Sequence, residues 1–389
     1  MPQIAEVGQN SIAERQQLAE TIKRAIETFN ACGLKSTATA ARLDQSRSLT
    51  SFPVACPIEP FGAQLAIQAG NRPATVVAVD GSQVMPSHHE IYSCFLINIG
   101  TTVISYGSQH PPSLESQPTL FHRQADLYPK VDGQRIHVDE LYVSLERHIL
   151  ELETAAAQAL LALKRDLPCL VLLDGSLIPW SLEKMPESYC QAFLNRATAA
   201  LEALRQADIP LLGYISHSRS ADLINCLRVC ICPYKISNCK QFCHTLSEDE
   251  YPCAQVWPLA DRLLLEGILP YRSRTASLLA DTNSVRWLPA PQQTCFIYLN
   301  VGSEIARLEF PHWLADNPDL LDWACQRVLE QVEKGFGYPV CLTESHLQAV
   351  VKAADRNRFF NLLDEHLNEA VCGKFHISPK ESSKRRSFI

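Results

Sequence analysis

The sequence predicts an α/β fold: a mixed sheet with helices on its faces. Three observations carry this. Apolar, β-branched runs of strand length recur along the chain. Amphipathic stretches at helical spacing stand between the later ones. The early runs follow one another with no helix between them, which calls for antiparallel neighbours before β–α alternation begins.

Residues 11–32 place Ile12, Leu18, Ile22, Ile26 and Phe29 on one helical face, with Ser11 as N-cap and Gly33 as the stop. The polar stretch 35–51 reads as a linker. Residues 75–80 (TVVAVD) form a buried strand closed by Gly81. Residues 91–99 and 101–105 read as a hairpin about Gly100, and 107–136, rich in Pro, Gln, His and Asp, as an irregular excursion. A long helix follows over 138–165, striped by Leu141, Leu145, Ile149, Leu152, Ala156, Leu160 and Leu163 and broken at Pro168. Residues 169–174 (CLVLLD) are the next strand, then come a helix over 186–206, a strand over 210–216 and a helix over 218–228. The later half reads as a helix at 258–268, two strands at 293–301 and 304–310, a helix at 318–334, a short strand at 338–342, and helices at 346–354 and 357–367. The basic, polar end, SPKESSKRRSFI, reads as disordered. This β-β-β-α-β-α-β-α order is the layout of ribonuclease H-like folds, one candidate among several α/β folds. The expected domains are a helix and linker at 1–50, one large domain at 51–375 with a Cys-rich insertion at about 226–256, and a tail at 376–389.

Bulk composition narrows the class. The chain has 389 residues, 46% hydrophobic and 20% charged, enough for a sizeable core. No apolar run approaches the ~18 residues of a membrane span. The opening MPQIAEVGQN has neither a basic region nor an apolar one, so no secretory signal is expected and the cytoplasm is the default address. Fifteen cysteines then read as reduced thiols rather than a disulfide framework. A net charge of −7 argues against coating duplex DNA by bulk charge. It leaves room for a local basic channel or a partner that supplies affinity.

Two segments share one design, VVAVDGS at 76–82 and LVLLDGS at 170–176. An Asp at the end of a buried strand sits at the sheet rim, where ligands bind in open α/β sheets. Asp-Gly is also a common strand-to-turn pair. Two converging aspartates repel unless a cation or a proton bridges them. Mg²⁺ and Mn²⁺ prefer oxygen ligands, and such ions can activate water in phosphodiester hydrolysis. A third acid is expected from the helix between the two: Glu153 borders the apolar face and is preferred, with Glu146 and Glu151 as fallbacks.

These motifs, with YIS at 214–216, Asp261 before an apolar stretch, the run IYLNVGSEIARLEFPHWLA at 297–315 and GYPVCLTESH at 337–346, resemble those of the NurA nucleases in order and spread. The resemblance implies a ribonuclease H-like nuclease dependent on Mn²⁺ or Mg²⁺, cutting single-stranded DNA and digesting duplex ends 5′ to 3′. It implies a homodimer working with a HerA-type hexameric ATPase in end resection. It assigns metal binding to Asp80, Glu153, Asp174 and His346, and a catalytic place to Tyr338. Arg307 and Glu309, alternating along a strand, read as a structural ion pair; Arg272 and Arg274 are phosphate-contact candidates or solvated loop residues. A non-catalytic nucleic-acid-binding module on the same fold, or a ribonuclease H-like nuclease of RNA or branched DNA, are the competing readings.

Cys232, Cys239, Cys243 and Cys253 could supply four thiolates to Zn²⁺ or an iron–sulfur cluster, though the tight Cys-x2-Cys pairs of a zinc ribbon are absent. Unlinked thiols in a loop are the plainer alternative.

Overall fold

The computed structural model describes residues 2–70, 72–85, 94–131, 133–136 and 138–370; the expected disordered tail lies outside them. In chain order the elements are α1 (Pro2–Gly33), α2 (Ser36–Ser46), β1 (Cys56–Pro57), β2 (Gln64–Ala66), β3 (Ala74–Val84), β4 (Phe95–Tyr106), β5 (Ser113–Phe121), α3 (Gln124–Leu127), β6 (Lys130–Val131), β7 (Gln134–Arg135), α4 (Glu140–Ala162) and β8 (Cys169–Asp174). Then follow α5 (Glu187–Gln206), β9 (Leu211–Ile215), α6 (Asp222–Ile231), α7 (Cys239–Phe242), α8 (Asp261–Leu265), β10 (Ser273–Thr275), β11 (Leu278–Leu279), α9 (Asn283–Arg286), β12 (Thr294–Asn300), β13 (Ile305–Pro311), α10 (His312–Ala315), α11 (Pro318–Lys334), α12 (Val340–Ala349) and α13 (Ala353–Ala370). The class is the expected one, α/β, with eleven strands in mixed pairing and helices against them. Contacts divide the chain into unit 1 (Met1–Arg72, Leu172–Ile178, Asp208–Val340) and unit 2 (Pro73–Val171, Pro179–Ala207, Cys341–Ile389). No helix among the described residues is long and apolar enough to cross a membrane.

In unit 2 the strand order is β5-β4-β3-β8. β3, β4 and β5 form the antiparallel meander expected of a ribonuclease H-like layout. Two departures matter. β3 does not stop at Gly81 but runs on to Val84, and β4 passes straight through Gly100, which pairs with Asp80 in an unbroken ladder. Neither glycine makes a turn; both make room. A Cβ on Gly100 would lie 2.3 Å from the Ala349 nitrogen and the Ser345 carbonyl, so α12 could not rest on the strand. The third strand, β5, replaces part of the expected excursion. It is a mostly exposed edge strand whose polar residues and Pro118 hide the strand signal. On α4, Tyr142, Val143, Leu145, Ile149, Leu152 and Ala156 form the buried stripe, and Asp139 caps its start by accepting the Tyr142 N–H at 2.8 Å.

In unit 1, the end of β8 is followed by β9, β13, β12, β11 and β1, with β10 joining β12 and β2. β12 and β13 are buried almost throughout and pair over their full length, Thr294 with Pro311 to Asn300 with Ile305. The N-terminal helices contribute to this core: Ala25, Phe29 and Cys32 of α1 and Leu43 of α2 pack with Phe61, Leu227, Leu264 and Phe296. Residues 36–46, expected as linker, are helical because Thr39, Leu43 and Ser46 share one buried face despite the polar composition. The short strand expected at 338–342 is instead the start of α12. Pro339 just before it suits a helix start, and a short apolar run does not by itself separate strand from helix.

Candidate active site

The residues that the sequence singles out fall into two groups, one in each unit. In unit 1, Asp174 ends β8 and Gly175 turns the chain with φ 103°, a conformation that favours glycine. The turn is held from several sides. Gly175 donates its N–H to the Tyr214 carbonyl at 2.8 Å. Glu309 accepts from the Ser176 hydroxyl at 2.7 Å and the Leu177 N–H at 2.9 Å. Gly213 on β9 has no side chain, and a Cβ there would stand 2.6 Å from the Gly175 carbonyl. Tyr338 then donates its hydroxyl to Asp174 Oδ1 at 2.8 Å, and its ring meets that of Tyr214 edge-on at 5.3 Å.

Behind this turn lies a buried ionic network. Arg307, 1% exposed, bonds Glu309 at 2.9 Å and Asp222 at 2.6 Å and lies over the Phe296 ring at 3.8 Å. The alternating Arg307 and Glu309 are therefore an ion pair that braces the Asp174 turn. Arg274, a phosphate candidate by sequence, is buried between Glu59 and Asp322 at 2.6 Å each. Arg272 pairs with Glu333 at 2.9 Å. Beside β9, Glu304 accepts from Tyr214 at 2.7 Å, Ser216 at 2.9 Å and the His217 N–H at 2.7 Å. Burial works against its charge, but these donors outweigh it and hold Glu304 below the usual carboxylate range. Tyr214 is pushed up by burial and then by Glu304, so its hydroxyl stays protonated as a donor.

In unit 2, one face of the sheet carries Asp80 and Ser82 on β3 opposite Gly100 and Asn98 on β4. α12 ends against this face. Its last carbonyls, which have no partner within the helix, are taken up by the sheet: Asn98 Nδ2 donates to Gln348 at 3.0 Å and Ala349 at 2.7 Å, and Ser82 Oγ to Ala349 at 2.5 Å. So anchored, α12 brings His346 Nδ1 to 2.8 Å from Asp80 Oδ2, while the Gly81 N–H bonds Asp80 Oδ1 at 2.8 Å. The sequence placed His346 at a helix start; it lies in the last turn, because α12 begins six residues earlier, at Val340. With the proton on Nδ1 donated to Asp80, the Nε2 lone pair is left for a cation.

Of the helix acids, Glu153 binds Arg196 in a two-pronged ion pair, 2.8 and 2.7 Å, and Glu146 shares the same guanidinium at 2.9 Å while accepting from Tyr189 at 3.0 Å. Glu151 is the acid beside β3. A Cβ on Gly81 would stand 2.5 Å from Glu151 Oε1, so the missing side chain lets that carboxylate reach the strand. Arg147 accompanies it, donating to the Gly81 carbonyl at 2.9 Å. An open groove of about 720 Å³ adjoins, lined by Gln83, Ser144 and Arg147 among others. The reason is geometric: two residues along a helix turn a side chain through some 200°, so an apolar-boundary position did not show which neighbour it bordered.

The thiols predicted as a cluster do gather in unit 1. Cys239, Cys243 and Cys253 are buried in the apolar core and Cys232 is half-buried. Burial first, and then the neighbouring Cys239, Cys253 and Cys232, pushes the Cys243 thiol up. Among the described residues no group of three or more His, Cys, Asp or Glu stands ready to hold a metal ion.

With the geometry in place, comparison with known proteins is decisive on one point: the profile of the NurA domain matches residues 74–351. The chain belongs to the NurA family. This NurA chain is accordingly a nuclease by class. No curated protein matches it. Among solved structures, the catalytic domain of human Endonuclease V aligns at 14% identity over 75% of this chain and 84% of that one, with a TM-score of 0.31.

Proposed function

We propose that the chain is a divalent-metal-dependent DNA nuclease, a single-strand endonuclease and 5′-to-3′ exonuclease that trims broken ends with a HerA-type translocating ATPase. Family membership supports the reaction class. The observation that carries the finer reading is the pairing of each Asp-Gly-Ser aspartate with a residue of the late Gly-Tyr-Pro…His motif: Tyr338 on Asp174, His346 on Asp80.

The donor types suit a hard cation: in unit 2 Asp80 and Glu151 offer carboxylate oxygens and His346 an imidazole nitrogen, and in unit 1 Asp174 offers carboxylate oxygens, donors that Mn²⁺ and Mg²⁺ accept. Glu153, neutralised by Arg196, is replaced in this assignment by Glu151. When bound, such an ion lowers the pKa of a water and offsets charge on the phosphate. The chain's own residues do the positioning. The Tyr338 hydroxyl and the Ser176–Glu309 brace orient the Asp174 carboxylate. The Gly81 N–H and His346 orient that of Asp80. A net charge of −7 fits a nuclease whose grip on DNA comes partly from a partner; the homodimer rests on the family resemblance.

The test is cleavage of 5′- and 3′-labelled single and double strands with Mn²⁺, Mg²⁺ or chelator, for wild type, Asp80→Asn and Asp174→Asn. Metal-dependent cleavage lost in both variants, with unchanged thermal unfolding, is expected. Full activity in either variant, or in chelator, defeats the reading; cleavage of RNA or branched DNA alone would transfer it to the competing nuclease class.

A further inference from the structure

α11 ends in an unusual way. The Gly337 N–H bonds the Val332 carbonyl at 3.0 Å and the Phe336 N–H bonds the Glu333 carbonyl, the two-bond stop in which the residue after the cap adopts a left-handed conformation. That residue is normally glycine. Here it is Phe336, at φ 55°, with glycine on either side. Its ring is 99% exposed. The fold gains nothing from it: a bulky side chain is strained there, and an apolar ring in water contributes no burial.

The turn is nonetheless rigid. The Tyr338 carbonyl lies where a Gly335 side chain would be, and Ser303 Oγ donates to the Gly337 carbonyl at 2.8 Å. Two residues beyond Phe336, the Tyr338 hydroxyl meets Asp174, so at most about 7 Å of chain separates the exposed ring from the candidate catalytic tyrosine. Tyr271 and Arg272 both bond Glu333, three residues before Phe336 in the last turn of α11. Tyr271, 52% exposed, packs its ring against Gly302, next to Ser303, and donates to Glu333 at 3.2 Å. Arg272, also left-handed at φ 57°, pairs with the same Glu333, and Lys334 closes α11. Strain held rigidly at an exposed position marks a place where something other than folding sets the residue.

We propose that Phe336 is a stacking platform for an unpaired nucleobase of the strand bound at Asp174 and Tyr338, with Tyr271 and Arg272 flanking it. Every base has a π face, so a rigid exposed ring grips single strands without regard to sequence, and basic neighbours follow the backbone. A base inside an intact duplex presents no free face, so the platform selects frayed ends and single strands over paired DNA. This rests on the nuclease reading of the site.

The experiment measures binding and cleavage of single-stranded and blunt duplex DNA by wild type, Phe336→Ala, Phe336→Trp and Phe336→Gly. Binding is followed in chelator by fluorescence of a 2-aminopurine base, so it is read without hydrolysis. Single-strand affinity is expected to fall about 5- to 150-fold in the Ala variant. It should be retained by Trp, whereas in the Ala variant KM should rise more than kcat falls. The Gly variant relieves strain, so it is expected to fold at least as well as wild type while binding like Ala. An abasic nucleotide at the contact position should weaken wild type and leave the Ala variant unchanged. Equal single-strand binding by Phe336→Ala and wild type overturns the platform even if the enzyme cleaves normally. So does a change in oligomeric state with unchanged affinity per protomer, which would make Phe336 a contact between copies of the chain. Absence of metal-dependent cleavage in wild type that still binds through Phe336 would instead remove the nuclease reading and leave the platform.

Discussion

Gly100→Ala isolates how His346 reaches Asp80. The added methyl would stand 2.3 Å from both the Ala349 nitrogen and the Ser345 carbonyl, about 1 Å short of ordinary contact. Both obstacles are backbone, so no side chain can swing away, and α12 or β4 must move. Overpacking of this kind costs about 1–3 kcal/mol, and the rigid obstacles argue for the upper end. At roughly 2–4 °C per kcal/mol for units of this size, the midpoint should fall by about 6–12 °C. The catalytic effect should be the larger. A shift of about 1 Å would carry His346 away from its 2.8 Å contact with Asp80, and misplacement on that scale costs about 100-fold in rate. Differential scanning fluorimetry and metal-dependent cleavage of a labelled single strand read the two effects. If the variant melts within about 2 °C of wild type and cleaves at full rate, α12 is not seated by the missing side chain, and the account of the Asp80–His346 pair is wrong.

Glu151→Gln should abolish cleavage without loss of fold, whereas Glu153→Gln, which only loosens a half-exposed ion pair with Arg196, should keep activity and cost less than about 1 kcal/mol in denaturant unfolding; the reverse ranking restores Glu153 as the site acid. Tyr338→Phe removes the donor to Asp174 alone and should lower metal affinity or kcat about 10- to 100-fold, measured by Mn²⁺ titration of activity; no change would make the hydroxyl a bystander. Asp261, fully buried, has its pKa pushed up to about 7, by burial first and then by Asp222. Its folded pKa therefore exceeds that of the unfolded chain, so its stabilising contribution is complete below about pH 4 and fades as pH climbs to about 7. Between pH 5 and 8 the unfolding free energy of Asp261→Asn should decline less than that of wild type, and parallel pH profiles would refute this.

Much of the fold was legible because periodicity survives in buried elements. The stripe of α4 and the apolar runs of β3, β8 and β12 announce themselves. What escaped were elements whose residues do not face the core in the usual proportion. β5 is an exposed edge strand with a proline, and α2 buries a threonine and a serine beside its one leucine. Phe336 could have been noticed as an aromatic between two glycines just after a helix, a context in which glycine or asparagine is the ordinary residue.

The site was half legible for a reason that concerns glycine. The two Asp-Gly-Ser segments look identical, yet their glycines do different work. Gly175, at φ 103°, turns the chain behind Asp174, which is what the pair suggests. Gly81 stays extended inside β3, and what matters is the space above it, which Glu151 and Arg147 fill from α4. Gly100 opposite Asp80 does the same for α12 on the face that Asp80 shares. A sequence records that a side chain is missing but not whether torsion or volume requires it. Torsion is local and can be read from neighbours in the chain; volume depends on which distant element arrives. Asp80 and Asp174 could therefore be named from their own strands. The proposed preference for Glu151 over Glu153 depends on the helix that fills the gap above Gly81.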